Sequence, residues 1–183
     1  MNNIKKTNII QQLMKSSNEA NVQDVKIKSP SECTDEEIQS FFNLVKTGGE
    51  VNINTLEAGI RRAHLLAFCY VNQKLASVAA LKNADQGYQN NVFERAGEPQ
   101  LAEKFQSEIG YIYTDEKYRG RHICPILVKH LMNNRADKIF STIRMRNKHM
   151  INIIRKLGFH QVGHRFVGKQ QDKGRYYVQL FIK

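Results

Sequence analysis

The chain has 183 residues, 41% of them hydrophobic and 25% charged, which suits one globular domain with a single substantial core. Its 11 glycines, 3 prolines and 3 widely spaced cysteines exclude collagen-like, mucin-like and disulfide-scaffold classes, and the odd cysteine count points to a reducing cytoplasm. The net charge of +11 is unevenly placed: residues 1–114 carry 12 basic and 13 acidic side chains, whereas residues 115–183 carry 16 and 4, so the anion this field serves docks on the C-terminal part.

Residues 1–24 are polar and rich in Asn and Lys. Ile4, Ile9, Ile10, Leu13 and Met14 fit a short amphipathic helix or a frayed arm equally well, and no secretory signal is expected there. Val25 and Ile27 alternate with lysines, as in a strand. Thr34-Asp-Glu-Glu37 reads as a capping box opening a helix with Ile38, Phe41, Phe42 and Val45 on one face, and Gly48-Gly49 ends it. A second helical stretch opens at Thr55 and runs through Ile60 and Ala63. Residues 64–71 and 75–81, joined by a turn at residues 72–74, form a buried hairpin. The run 65–71 is the longest apolar one, far short of the about 20 residues of a membrane span, and no membrane partner is expected.

Residues 82–106 are polar and read as a loop or helical insertion. Residues 108–114 alternate as a strand, and a helix follows with Ile123, Ile126, Leu127 and Leu131 on one stripe. There Pro125 is acceptable only because it lies in the first turn. A strand over 139–145, a helix carrying Met150, Ile153, Ile154 and Leu157, a stop at Gly158 and two strands around a turn at 168–174 complete the chain. The order β-α-α-β-β-β-α-β-α-β-β predicts an α/β fold, a mixed sheet with helices on its faces.

The chemically informative stretch begins with Glu108-Ile-Gly-Tyr-Ile-Tyr-Thr114 and the turn Arg119-Gly-Arg-His-Ile-Cys124. A strand entering a basic, Gly-containing turn that opens a helix makes an anion site, because the first-turn N–H groups point outward at the positive end of the helix dipole. Neither the dinucleotide fingerprint nor the Walker sequence is present. With Asn147 and the following helix to Gly158-Phe159, these motifs resemble the GNAT superfamily of acyl-CoA-dependent N-acyltransferases, from about Val25 to the end. The family's turn reads Q/R-x-x-G-x-G/A. Here Arg119 matches, while His122 stands for the Gly and Cys124 for the Gly or Ala.

The resemblance implies a mixed sheet splayed between its fourth and fifth strands, with acetyl-CoA as co-substrate. Its pyrophosphate would lie on Arg119, Gly120, Arg121, His122, Ile123 and Cys124. Its pantetheine arm would pair with the edge at Ile112, Tyr113 and Thr114 and meet Asn147. Glu108 matches the glutamate used as base in the histone-acetyltransferase branch, and the acetyl group would pass directly to a primary amine of a small molecule, peptide or protein. Two positions depart from the family: Ile154 stands where many members carry a proton-donating Tyr, and Thr142 where the ribosomal-protein branch carries its basic Glu.

Plainer readings stand beside each role. Arg119 and Arg121 also suit a solvated turn, Glu108 a surface charge, and Asn147 a helix cap. Tyr111, Tyr113 and Tyr118 suit packing, and Cys124 a small residue filling the Gly/Ala position. His160 and His164 lack companion ligands, so no metal is expected. The basic C-terminal part leaves open a catalytically weakened module that grips nucleic acid or an acidic protein, a tRNA-acetylating, toxin-like enzyme, and a homodimer. Acceptor choice would rest with residues 48–63 and 82–106.

Overall fold

A computed structural model describes residues 23–134, 138–170 and 174–183. The arm or helix expected over residues 1–24 lies outside the described residues except for Gln23 and Asp24, which open the first strand. The elements are β1 (Gln23–Lys28), α1 (Asp35–Gly48), α2 (Ile53–Arg61), β2 (Leu65–Val71), β3 (Lys74–Asn83), α3 (Gln86–Ala96), β4 (Ser107–Thr114), α4 (Ile123–Asn133), β5 (Ile139–Arg144), α5 (Lys148–Lys156), β6 (His160–Gln170) and β7 (Gly174–Ile182). The predicted order is present, and α3 fills the insertion together with a 3-10 turn at Pro99–Lys104.

Local signals explain most boundaries. The Thr34 hydroxyl accepts from the Glu37 N–H at 3.2 Å, and the Glu37 carboxylate accepts from the Thr34 N–H at 3.0 Å, so the capping box is complete. Gly49 ends α1 in the left-handed conformation, with φ 63°. Helix α2 starts at Ile53 rather than at Thr55, because the Asn52 side chain caps it by accepting from the Asn54 N–H at 3.0 Å. Strand β3 runs past Leu81 because β4 pairs with its last two residues, Lys82↔Glu108 and Asn83↔Ser107. Strand β6 likewise continues past Gly168 to Gln170, and β7 begins at Gly174.

The strands form one seven-stranded sheet in the order β1-β2-β3-β4-β5-β7-β6, antiparallel throughout except where β4 meets β5. Helices α4 and α5 cover one face, burying Leu127, Leu131, Ile151 and Ile154 against Ala67, Ala79 and Ile109. On the opposite face α1 and α2 bury Phe41, Leu56 and Ile60 against Phe68 and Val78, and α3 buries Phe93 against Phe140 and Leu180. The segments 48–63 and 82–106 therefore share one face. Cys33, Cys69 and Cys124 are free thiols, and burial pushes Cys69 up to about 11 and Cys124 up to about 12. No described helix is long and apolar enough to cross a membrane.

Helix α3 meets β6 at Gly163, which has φ 61° and lies so close to the Ala96 carbonyl that a Cβ there would overlap it. Gly163→Ala combines a strained backbone with a clash against main chain. It is expected to lower stability by about 2 kcal/mol or more, read from the urea unfolding midpoint.

Candidate active site

Strands β4 and β5 pair only at Ser107↔Ile139 and Glu108↔Phe140. Their other edges stay paired much further, β4 with β3 through Thr114 and β5 with β7 through Arg144. The two strands therefore part after Phe140 and open a gap. The β4 register slips by one residue opposite β3, and the extra residue falls at Tyr111, whose φ of 50° is left-handed. That conformation costs about 1–2 kcal/mol in a residue with a Cβ, and such strain concentrates at functional sites. The Tyr111 hydroxyl packs directly on Gly59 of α2, and the Lys82 ammonium lies 4.8 Å from its ring centroid. Beyond the bulge, the Ser77 hydroxyl donates to the Tyr113 carbonyl at 2.9 Å on the β3 side. Alternation along the strand then turns the main-chain polar groups of Ile112 and Thr114 toward the gap, whereas those of Tyr113, expected on the same edge, face β3.

At the open end of the gap lies the basic turn. Gly120 has φ 78° and His122 φ 57°, and His122 occupies the N-cap of α4 with no side-chain cap bond. The left-handed backbone at 122 is the physical reason a glycine suits that position, and the chain adopts it with a histidine in place. The imidazole is exposed. Among the described residues no backbone carbonyl accepts from the N–H groups of His122, Ile123 or Cys124. Pro125, third in the helix, lacks an N–H that would otherwise be an orphan. The Arg119 Nε donates to the Thr114 carbonyl at 3.2 Å, and its guanidinium lies 5.6 Å from the Tyr113 ring centroid; Arg121 lies 5.6 Å from that of Tyr118. Outward amides, two guanidinium groups and a left-handed backbone already in place fit a diphosphate.

Asn147 caps α5, its side chain accepting from the Met150 N–H at 3.1 Å. Ile154 is fully buried and offers no donor.

Glu108 sits at the closed end of the gap and is only 3% exposed. Its Oε2 pairs with the Lys82 Nζ at 2.5 Å, and its Oε1 accepts from the Tyr88 hydroxyl at 3.2 Å and the Thr142 hydroxyl at 3.0 Å. Thr142 of β5 thus joins the carboxylate that β4 supplies. A carboxylate has about four acceptor positions, so these three donors leave one on Oε2. Burial opposes the charge of Lys82, but the facing Glu108 carboxylate, with Tyr88 and Tyr111, outweighs it and holds the ammonium above its ordinary 10.5. Burial, and then the Glu108 charge, push the Tyr88 phenol above its usual 10.0. Lys82 and Tyr88 were not legible as site residues, because both lie in or beside the polar insertion and only the register Lys82↔Glu108 brings them together. Among the described residues no group of three or more His, Cys, Asp or Glu could hold a metal ion.

The model of the acetyltransferase (GNAT) family matches residues 31–159. The chain belongs to the GNAT acetyltransferase family. No curated protein sequence matches it. Among solved structures it is similar to Arabidopsis thaliana NAA60 in complex with acetyl-CoA (12% identity, TM-score 0.65, 88% of this chain and 98% of that one) and to Escherichia coli ElaA (13%, 0.62, 87% and 99%). It is also similar to the ribosomal-protein-S18-alanine N-acetyltransferase from Escherichia coli (14%, 0.59, 87% and 92%). At these identities the likeness is one of fold, and the parted β4–β5 pair is the feature of the GNAT fold on which the site is built.

Two outcomes follow for this GNAT site. Lys82 and Tyr88 keep protons in the folded chain that the unfolded chain gives up, so their contribution to stability is complete below about pH 10 and is lost as pH rises beyond it. The urea midpoint is expected to fall as pH is raised above about 10, and to fall less steeply in a Lys82→Met, Tyr88→Phe double variant. His122→Gly relieves the left-handed strain, and is expected to raise stability by at most about 1 kcal/mol while leaving acetyl-CoA affinity in calorimetry undiminished.

Proposed function

We propose that this protein is an N-acetyltransferase that moves an acetyl group from acetyl-CoA directly to a primary amine. The observation that carries the reading is the gap between β4 and β5, which ends at one side in the outward amides of the Arg119 turn and at the other in a buried carboxylate. Bound acetyl-CoA supplies the activated acyl thioester. The N–H groups of His122, Ile123 and Cys124, with Arg119 and Arg121, would hold the diphosphate. The gap-facing polar groups of Ile112 and Thr114 would align the pantetheine arm as an added strand. Exposed cations on the same half of the chain (Lys129, Lys148, Arg155 and Lys156) draw a polyanionic co-substrate toward this face.

Glu108 takes the amine's proton, directly or through a water, at the acceptor position its three donors leave open. Lys82, Tyr88 and Thr142 fix the carboxylate in place. With Ile154 in place of a donor, protonation of the leaving side falls to solvent.

Isothermal titration with acetyl-CoA is expected to show binding at micromolar cofactor, and its absence at high micromolar concentration overturns the reading. Glu108→Gln is expected to lower kcat by about 100-fold or more with acetyl-CoA affinity unchanged. Full turnover by that variant at pH 7 would take Glu108 out of the mechanism.

A further inference from the structure

The wall of the gap formed by β5 carries a carboxylate site that proton transfer does not use. Thr142, bonded to Glu108, and Arg144 lie two residues apart on one face of β5, so Arg144 stands about 7 Å further along the same wall. Arg144 is buried, and its guanidinium lies 3.9 Å from the ring centroid of Tyr176, which holds its plane. Its Nε meets the Glu50 Oε2 at 2.9 Å, its Nη2 donates to the Glu50 main-chain carbonyl at 3.0 Å, and the Arg146 Nη2 donates to the Glu50 Oε1 at 2.7 Å. One carboxylate is shared by two arginines, one at each oxygen.

The owner of that carboxylate sits on the loop between α1 and α2, directly after the left-handed Gly49. Gly48 lies against the Tyr113 ring of β4, so the loop reaches from the β4 wall to the β5 wall across the opening. The Glu50 side chain remains 41% exposed. Arg144 itself is buried, so it is the Glu50 and Arg146 side of the group that stands open to water and to exchange, and the arginine fork takes any carboxylate in the same way.

The geometry points to Arg144 and Arg146 as a subsite for a carboxylate carried by the acceptor, with Glu50 as its place-holder in the free protein. The acceptor is then a small amine whose own carboxylate lies about five bonds from the nitrogen, far enough to span the distance along the wall, as in an ω-amino acid. Its amine reaches Glu108 while its carboxylate displaces Glu50 and releases the loop. The amine end of this assignment rests on the transferase reading; the binding of the carboxylate does not require turnover.

The test titrates the wild-type, Glu50→Gln and Arg146→Gln proteins with 5-aminovalerate and with its carboxamide twin, 5-aminovaleramide, by calorimetry. The wild type is expected to bind the carboxylate at least about tenfold more tightly than the amide. Glu50→Gln should tighten carboxylate binding by about tenfold, since removing a competitor that holds about nine-tenths of the sites restores that fraction. Arg146→Gln, at a side chain 61% exposed whose loss spares the fold, should bring the carboxylate down to the level of the amide. Equal affinities for the two compounds, or no gain in Glu50→Gln, overturns the subsite. Acetyl transfer to the same pair separates the two readings. Equal turnover of both compounds removes the subsite and leaves transfer standing, whereas tighter carboxylate binding in Glu50→Gln without turnover keeps the subsite and removes transfer.

Discussion

A strand edge that stops pairing inside a sheet is the constraint on which this molecule is organised. Main-chain N–H and C=O groups are obligatory hydrogen-bonding groups, and leaving a run of them unmatched within a folded domain is unfavourable unless water or a ligand takes them. Here β5 stays committed to β7 along its length, and β4 to β3, while the β4–β5 ladder ends after two residue pairs. The bulge at Tyr111 turns β4 away and is itself held by packing on Gly59 and Lys82. The protein thus maintains a polar slot between the two strands, and the basic turn stands at its open end.

The buried end of the slot follows from the expense of hiding charge. Hiding a lone carboxylate at the depth of Glu108 would be costly, so it comes with a cation and two hydroxyl donors. The aromatic rings of Tyr88 and Tyr111 flank the Lys82 ammonium at 5.3 and 4.8 Å and offset part of its lost hydration. Helix α3 therefore does more than fill a long connection, because it delivers the Tyr88 hydroxyl to the carboxylate. Thr142 shows how one site is assembled from two strands: β4 supplies the acid, and β5 supplies a donor to it.

The turn at Arg119 separates what a motif requires from how it is usually written. A left-handed residue at 122 is needed to aim the amides of α4 outward, and glycine is the residue that adopts this conformation at least cost. His122 adopts it too, at the expense of some strain, and leaves its ring in solvent. Cys124 replaces a smaller residue where the helix is nearly closed to solvent, and burial keeps its thiol protonated, so it behaves there as a small apolar side chain.

The sequence by itself determined the succession of elements. The capping box at Thr34, the glycine stops at Gly49 and Gly158 and the apolar periodicities are all local, encoded within a few residues of where they act. It also carried the turn and Glu108, since a strand–turn–helix passage and a strand residue keep their neighbours whatever the rest of the chain does. It misplaced the start of α2, because the Asn52 cap precedes the residues with the helical pattern. Lys82, Tyr88 and the Glu50–Arg144–Arg146 group were decided only by tertiary structure. These partners stand 20 to 96 residues apart in the chain, and which charges face one another depends on strand register and on the packing of loops across the sheet. A charged residue in a sequence looks the same whether it will be solvated or sealed against its opposite. Only the closing of the sheet around it fixes its environment, and with it the chemistry it can perform.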